Sequence, residues 1–142
     1  IYGGTTRLVQ QVLSRFGVEH TFVDARDAEN VQRALQPRTK LVFIESPANP
    51  TLVLTDIEAV AKVTRAAGAI LAVDNTFLTP IVQRPLDLGA DVSVYSTTKH
   101  IEGHSTALGG ALAASDVYKR QIFTRSKPKK ISPEWYWWMR GR

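Results

Sequence analysis

Lys99 is the first residue whose type and setting invite chemistry. It follows the apolar run Val92-Ser93-Val94-Tyr95 and the hydroxyl residues Ser96-Thr97-Thr98. A lysine desolvated by such surroundings loses its proton more readily than a free one, because burial disfavours the ammonium form. The neutral amine can then attack an aldehyde and form a Schiff base. Position alone fits a solvated lysine beside a loop better. Asp74 closes another apolar run, Ala69 to Val73. A carboxylate there can keep a pyridine nitrogen protonated, which makes the ring an electron sink. Taken singly, Asp74 reads as a cap or a loop acid that satisfies backbone N–H groups. Ser96 and Thr98 are two apart, so on extended backbone both hydroxyls face one side and can donate to a phosphate. Asn49 is flanked by Pro47 and Pro50, and its amide can hydrogen-bond a phenolic oxygen. Tyr2 can stack on a flat ring. Ser, Thr and Asn are also ordinary turn residues, so none of these positions speaks alone.

The elements that must hold these residues alternate between helix and strand. Leu8, Val9, Val12, Leu13 and Phe16 share one helical face, and Gly17 ends that helix. Val18 to Val23 is a short strand candidate. Asp27 caps a brief helix through Leu35, which stops before Pro37. Leu41-Val42-Phe43-Ile44 reads as a buried strand. Thr55-Asp56-Ile57-Glu58 reads as a capping box that opens a helix running to Gly68. Ala69 to Val73 and Val92 to Tyr95 are two more strands. Apolar strands alternating with helices imply an α/β fold, a mostly parallel sheet with helices on both faces. Ligands in such sheets bind at the carboxyl ends of the strands. Those ends carry Glu45-Ser46-Pro47-Ala48-Asn49-Pro50, Asp74-Asn75-Thr76 and Ser96-Thr97-Thr98-Lys99, so the three clusters are expected to converge.

The 142 residues suffice for one core rather than two ordinary domains. With no cysteine in the chain, disulfides, thiolate metal sites and cysteine nucleophiles are excluded within it. No apolar run approaches the roughly 20 residues that cross a bilayer, and no charged-then-apolar leader opens the chain. A cytoplasmic setting without a membrane partner is therefore expected. The net charge of +5 is unevenly spread. Residues 1–116 carry ten basic and twelve acidic side chains, whereas residues 117–142 carry eight basic and one acidic. All three tryptophans and Met139 also lie in that tail. A break this sharp marks a boundary, with one partial domain over residues 1–115 and a basic, Trp-rich tail over 116–142. Three readings of the tail compete. Basic and aromatic residues together can bind single-stranded nucleic acid, and a solvated, disordered end is the plainer possibility. The third is a library-junction artefact: Asp116-Val117-Tyr118-Lys119-Arg120-Gln121 can be encoded by GAT GTG TAT AAG AGA CAG, which resembles a transposon end used in sequencing libraries. His100, Glu102 and His104 lack the His-Glu-x-x-His spacing, and Gly103 interrupts the helix that motif needs, so no metal site is expected.

Taken together, Tyr2-Gly3-Gly4-Thr5, Glu45-Ser46-Pro47-Ala48-Asn49-Pro50-Thr51, Asp74-Asn75-Thr76-Phe77 and Ser96-Thr97-Thr98-Lys99 resemble the Cys/Met-metabolism family of pyridoxal-phosphate enzymes. Gln83-Arg84-Pro85-Leu86, Gly89-Ala90-Asp91 and Gly103-His104-Ser105 are similar to its pattern too, in order over about residues 1–115. The resemblance implies pyridoxal 5'-phosphate as cofactor and part of the large domain of a fold-type I enzyme. It gives roles by position. Lys99 would carry the Schiff base and shuttle protons. Asp74 would pair with the pyridinium nitrogen, Asn49 would touch the phenolic oxygen, and Ser96 and Thr98 would bind phosphate. Tyr2 would stack on the ring and assist leaving-group chemistry, and Arg7 would belong to the substrate pocket. The expected reaction is γ-replacement on an O-acylhomoserine in trans-sulfuration, with a cystathionine or methionine lyase as the alternative. The expected partners are a small amino-acid substrate and further copies of the chain in a homotetramer or dimer. His100 stands where the family often has Tyr, and Thr106 where lyases commonly carry Asp. A start at Ile1 and the lack of family segments on both sides suggest a fragment that is inactive alone.

Overall fold

The computed structural model describes residues 1–114. The tail over 116–142, with its nucleic-acid and junction readings, lies outside the described residues. Three apolar segments form the strands β1 (Leu41–Glu45), β2 (Ile70–Asp74) and β3 (Val92–Ser96), which run parallel. A fourth strand, β4 (Gly110–Ala114), returns antiparallel along β3 and completes the order β1-β2-β3-β4. The helices α1 (Gly3–Arg7) and α2 (Ala28–Ala34) precede β1, α3 (Ile57–Ala66) connects β1 to β2, and the single turn α4 (Thr79–Val82) lies between β2 and β3.

The core forms where α2 and α3 cover the sheet. Val31 from α2 and Ile57, Val60 and Ala61 from α3 meet Ile44, Leu71, Val73 and Ala90 in one buried cluster. Leu71, Val73 and Val60 have no solvent exposure. Burying a side chain of this size stabilises by roughly 1.5–3 kcal/mol. Because side chains alternate along a strand, Ile44 and Val73 take one face while Glu45 and Asp74 take the other. The pairing puts Ile44 beside Val73 and Glu45 beside Asp74, so both strands leave the core in step.

Sequence and structure part company in four places. The segment Val18 to Val23 is not a strand; its residues are exposed and no ladder forms there. A strand needs a neighbour's edge, and this segment pairs with none among the described residues. The cap of α3 is Asp56, not Thr55: Asp56 Oδ1 accepts the Ala59 N–H at 2.9 Å. Thr55 is engaged elsewhere, its N–H donating to Ser46 Oγ at 3.0 Å. The first helix runs to Gly17 as expected but changes pitch, with a wide turn over Leu8–Val12 and a tight one over Leu13–Phe16. Gly17 closes it at φ +76°, where a side chain would be strained. Its apolar face is not buried, since Phe16 is 79% exposed. Finally, β4 and α4 were not anticipated. By contrast, Asp27 caps α2 as expected, accepting the Glu29 N–H at 2.9 Å.

Candidate functional site

The carboxyl ends of β1, β2 and β3 lie side by side, and each turns directly into a polar loop. Register pairs Glu45 with Asp74, and Asp74 with Val94, two residues before Ser96. Asp74 and Ser96 are therefore neighbours across the sheet edge. Thr76 joins them. Its hydroxyl donates to Asp74 Oδ1 at 2.5 Å and accepts the Ser96 N–H at 2.8 Å. The Thr76 N–H adds a second bond to Asp74 Oδ1 at 3.0 Å. Asp74 Oδ2 keeps its lone pairs free of any protein donor among the described residues. A half-buried carboxylate with one oxygen fixed and one open is a preorganised acceptor for a ring N–H⁺.

Lys99 follows Ser96 after one turn, its N–H donating to the Ser96 carbonyl at 3.2 Å. The next turn closes at once: Glu102 N–H donates to the Thr97 carbonyl at 2.9 Å, and Gly103 N–H to the Lys99 carbonyl at 2.8 Å. Lys99 is exposed at the end of this loop. Thr98 is not a free hydroxyl. Its Oγ1 accepts the Gly109 N–H at 2.9 Å and donates to the Gly109 carbonyl at 3.3 Å, pinning the return strand to the lysine loop. Gly109 approaches closely enough that a Cβ there would fall 2.5 Å from Thr97 Oγ1.

The remaining expected residues lie at different distances from this centre. Asn49 is exposed beyond β1, and its N–H donates to Glu45 Oε1 at 3.2 Å. Glu45 Oε2 is buried without a hydrogen bond and stands 3.8 Å from the Ile1 nitrogen, which brings the Tyr2 segment to the same edge. The Tyr2 ring lies over Gly4, where a Cβ would sit 2.5 Å from the ring, so Gly4 makes room for it. No hydrogen bond or ion pair among the described residues ties Arg7 to the strand ends. His104 and Glu102 meet only through local bonds, and no three His, Cys, Asp or Glu side chains gather into a metal-holding group among the described residues.

Glu102 shapes the loop after Lys99. It accepts the Thr106 hydroxyl together with the N–H groups of His104 and Thr106. The Thr106 hydroxyl foremost holds its carboxyl below the ordinary value against an opposing desolvation, with smaller help from the backbone N–H groups. Thr106 stands where the resemblance led one to expect Asp in a lyase, and its present partner is this carboxylate. Phe77, directly after Asp74-Asn75-Thr76, meets the His100 ring edge-on at 6.1 Å.

Sequence reasoning quoted Thr76 and Gln83 only as parts of motifs and gave neither a role. Their partners lie on other strands, so no local pattern exposes them. The donor set fits a pyridoxal phosphate: an amine on Lys99, an open acceptor on Asp74 and the Ser96 hydroxyl.

Comparison with known proteins gives the same direction. The model of the family described as "Cys/Met metabolism PLP-dependent enzyme" matches residues 1–141. Cystathionine beta-lyase MetC of Bacillus subtilis (strain 168) is 51% identical over 116 residues, which cover 82% of this chain and 30% of that protein. Cystathionine gamma-synthase of Mycobacterium bovis is 48% identical over 115 residues, covering 81% of this chain and 30% of that protein. Among solved structures, cystathionine gamma-lyase from Lactobacillus plantarum complexed with L-serine superposes with a TM-score of 0.82 at 42% identity, covering 85% of this chain and 32% of that one. The chain thus spans about 30% of the length of the relatives it matches.

Proposed function

The chain belongs to the Cys/Met-metabolism family of pyridoxal-phosphate-dependent enzymes, and on that footing we propose that the protein carrying it performs γ-replacement on an O-acylhomoserine in trans-sulfuration. Bound pyridoxal phosphate supplies an electron sink that stabilises negative charge on substrate carbons. Lys99 holds the cofactor and moves protons at its Nζ. Asp74 Oδ2 accepts the ring N–H⁺ and keeps it protonated, while Thr76 prevents the carboxylate from turning away. Ser96 and Thr98 would serve the phosphate, the Thr98 hydroxyl being engaged here with the Gly109 carbonyl. Asn49 contacts the phenolic oxygen. Tyr2 covers the ring and assists departure of the leaving group, and Arg7 belongs to the substrate pocket. The observation that carries this reading is the side-by-side placement of Asp74, Ser96 and Lys99 at the carboxyl edge of a parallel sheet.

A lyase acting on cystathionine or methionine is the second reading, favoured by the lyase names of two of the relatives above. The product separates the two. A replacement enzyme consumes an O-acylhomoserine only when a thiol or sulfide co-substrate is present. A lyase releases a 2-oxo acid and ammonia from a thioether substrate without one. Release of 2-oxo acid from cystathionine, with no turnover of O-acylhomoserine plus thiol, would sink the first reading. Sites in this family reading are completed by further chain, so the active form is proposed to be a homotetramer or dimer. Residues 1–115 are proposed to be part of the large domain. No helix among the described residues is long and apolar enough to cross a membrane.

A further inference from the structure

Directly behind the site edge lies a polar network that none of the proposed roles uses. Ser46, Asn75 and Tyr95 are each the residue next to a site-edge residue, namely Glu45, Asp74 and Ser96. By strand alternation they take the opposite side, the one occupied by Ile44, Val73 and Ser93. Ser46 is 1% exposed, Asn75 0% and Tyr95 8%. Polar groups so buried must find partners or cost free energy, and here Gln83, from outside the sheet, partners the Ser46 carbonyl and the Asn75 amide, while Thr55 holds the Ser46 hydroxyl. The Gln83 amide donates one proton to the Ser46 carbonyl and the other to Asn75 Oδ1, both at 2.9 Å. Asn75 Nδ2 answers by donating to the Gln83 carbonyl at 2.7 Å and the Thr79 carbonyl at 3.1 Å, with Tyr95 Oη more distant at 3.4 Å. The Asn75 N–H continues to the Val94 carbonyl at 2.9 Å. Thr79 has a positive φ of 57°, a conformation uncommon for a residue with a side chain, and the Asn75 amide fastens its carbonyl.

We infer that Gln83 and Asn75 form a clamp that fixes the spacing of the three strand ends, and that Gln83 is thereby a positioning residue for the cofactor site. It touches no reacting group. Its two donors join the loop that leads to Asn49 with the strand end that carries Asp74, and Asn75 passes the constraint to β3 and so to Ser96. A side chain without those donors leaves the Ser46 carbonyl and Asn75 Oδ1 unpaired, and the β1 loop is free to shift against Asp74. The inference rests on the functional reading above.

The test is made on the intact protein with pyridoxal phosphate as the added ligand. Gln83→Met keeps length and loses both donors; Gln83→Glu keeps shape and sets a carboxylate against two acceptors. Dissociation of pyridoxal phosphate is followed by absorbance, together with the pH at which the bound cofactor's spectrum changes and the thermal midpoint of the cofactor-free form. The expected result for Gln83→Met is about tenfold weaker retention, as for the loss of one or two neutral hydrogen bonds, with a displaced spectral pH transition. Gln83→Glu is expected to be at least as weak at neutral pH and to recover part of the loss as the carboxyl protonates. Tyr95→Phe, which removes only the longest contact, should stay within about twofold of the wild type. If both Gln83 variants lower the thermal midpoint but leave cofactor retention and the spectral transition unchanged, the clamp is merely structural and the inference is overturned. Should Gln83→Met not fold, Gln83→Glu alone decides on the same readouts. Failure of the wild type itself to bind pyridoxal phosphate overturns the functional reading, and this inference with it.

Discussion

Replacing Thr76 by valine isolates the joint between β2 and β3. Valine keeps the branched shape and removes only the hydroxyl. Two bonds vanish together: the one donated to Asp74 Oδ1 at 2.5 Å and the one accepted from the Ser96 N–H at 2.8 Å. A bond to a charged acceptor is worth roughly 1.5–3 kcal/mol, and an N–H left unpaired in a buried place costs roughly 1–3 kcal/mol. Thr76 is half-buried and its own N–H still holds Asp74, so water and the surviving bond recover part of the loss. The expected destabilisation is about 2–4 kcal/mol. Urea denaturation of the protein and of Thr76→Val, with equal slopes in the transition region, measures it. Thr76→Ser, which keeps the hydroxyl, should lie within about 1 kcal/mol of the parent. A valine variant within about 0.5 kcal/mol of the parent, or a serine variant as damaged as the valine one, would refute the reasoning that this hydroxyl joins the strands.

Leu71, with no exposure at the centre of the core, should cost about 2–5 kcal/mol as Leu71→Ala, read in the same denaturation experiment. The pH dependence has a definite sign at Glu102. Its carboxyl is held below the unfolded value of 4.5, so the order it lends to the loop after Lys99 is complete above that value and is lost as pH falls further. Amide exchange of His104 and Thr106 is therefore expected to accelerate below about pH 4.5 relative to the β2 amides, and Glu102→Gln should abolish that dependence. Sequencing re-amplified source DNA across the codons for Ala113 to Phe123 decides between the readings of the tail, since loss of the six-codon junction would mark it as an artefact. An intact junction would instead make salt-dependent DNA binding, lost on deletion of 117–142, the result to look for.

Much of the frame could be read from the sequence because it rests on local signals. Leu41 to Ile44, Ala69 to Val73 and Val92 to Tyr95 are apolar runs of strand length bounded by breakers, and each became a strand. Asp27 announced α2 by its side-chain chemistry. The strand ends then pointed to Asp74, Ser96 and Lys99, since polar residues after buried strands gather at one edge. What stayed hidden depends on partners far along the chain. β4, Gly110-Ala111-Leu112-Ala113-Ala114, is built of residues with weak strand preference and forms because β3 offers it an open edge. Val18 to Val23 has the better strand composition and no edge to join. Asp56 rather than Thr55 caps α3, while the Thr55 N–H is held by Ser46, nine residues earlier. The same holds at the site. Thr76, Asn75 and Gln83 are plain polar residues in sequence, and their meaning lies in bonds to Ser96, Tyr95 and Ser46. The exposure of Lys99 agrees with the solvated loop lysine that its position alone suggests, and its assignment rests on the motifs around it.

The central claim is that Lys99 holds pyridoxal phosphate while Asp74 faces its ring nitrogen. It is tested most directly by reducing the protein with borohydride in the presence of the cofactor, digesting it, and locating the pyridoxyl group by mass spectrometry. The expected result is a single modified peptide with the adduct on Lys99, absent from Lys99→Ala and much reduced in Asp74→Asn at equal cofactor concentration. An adduct on Lys40 or Lys62 at comparable yield, or none on Lys99, would contradict it.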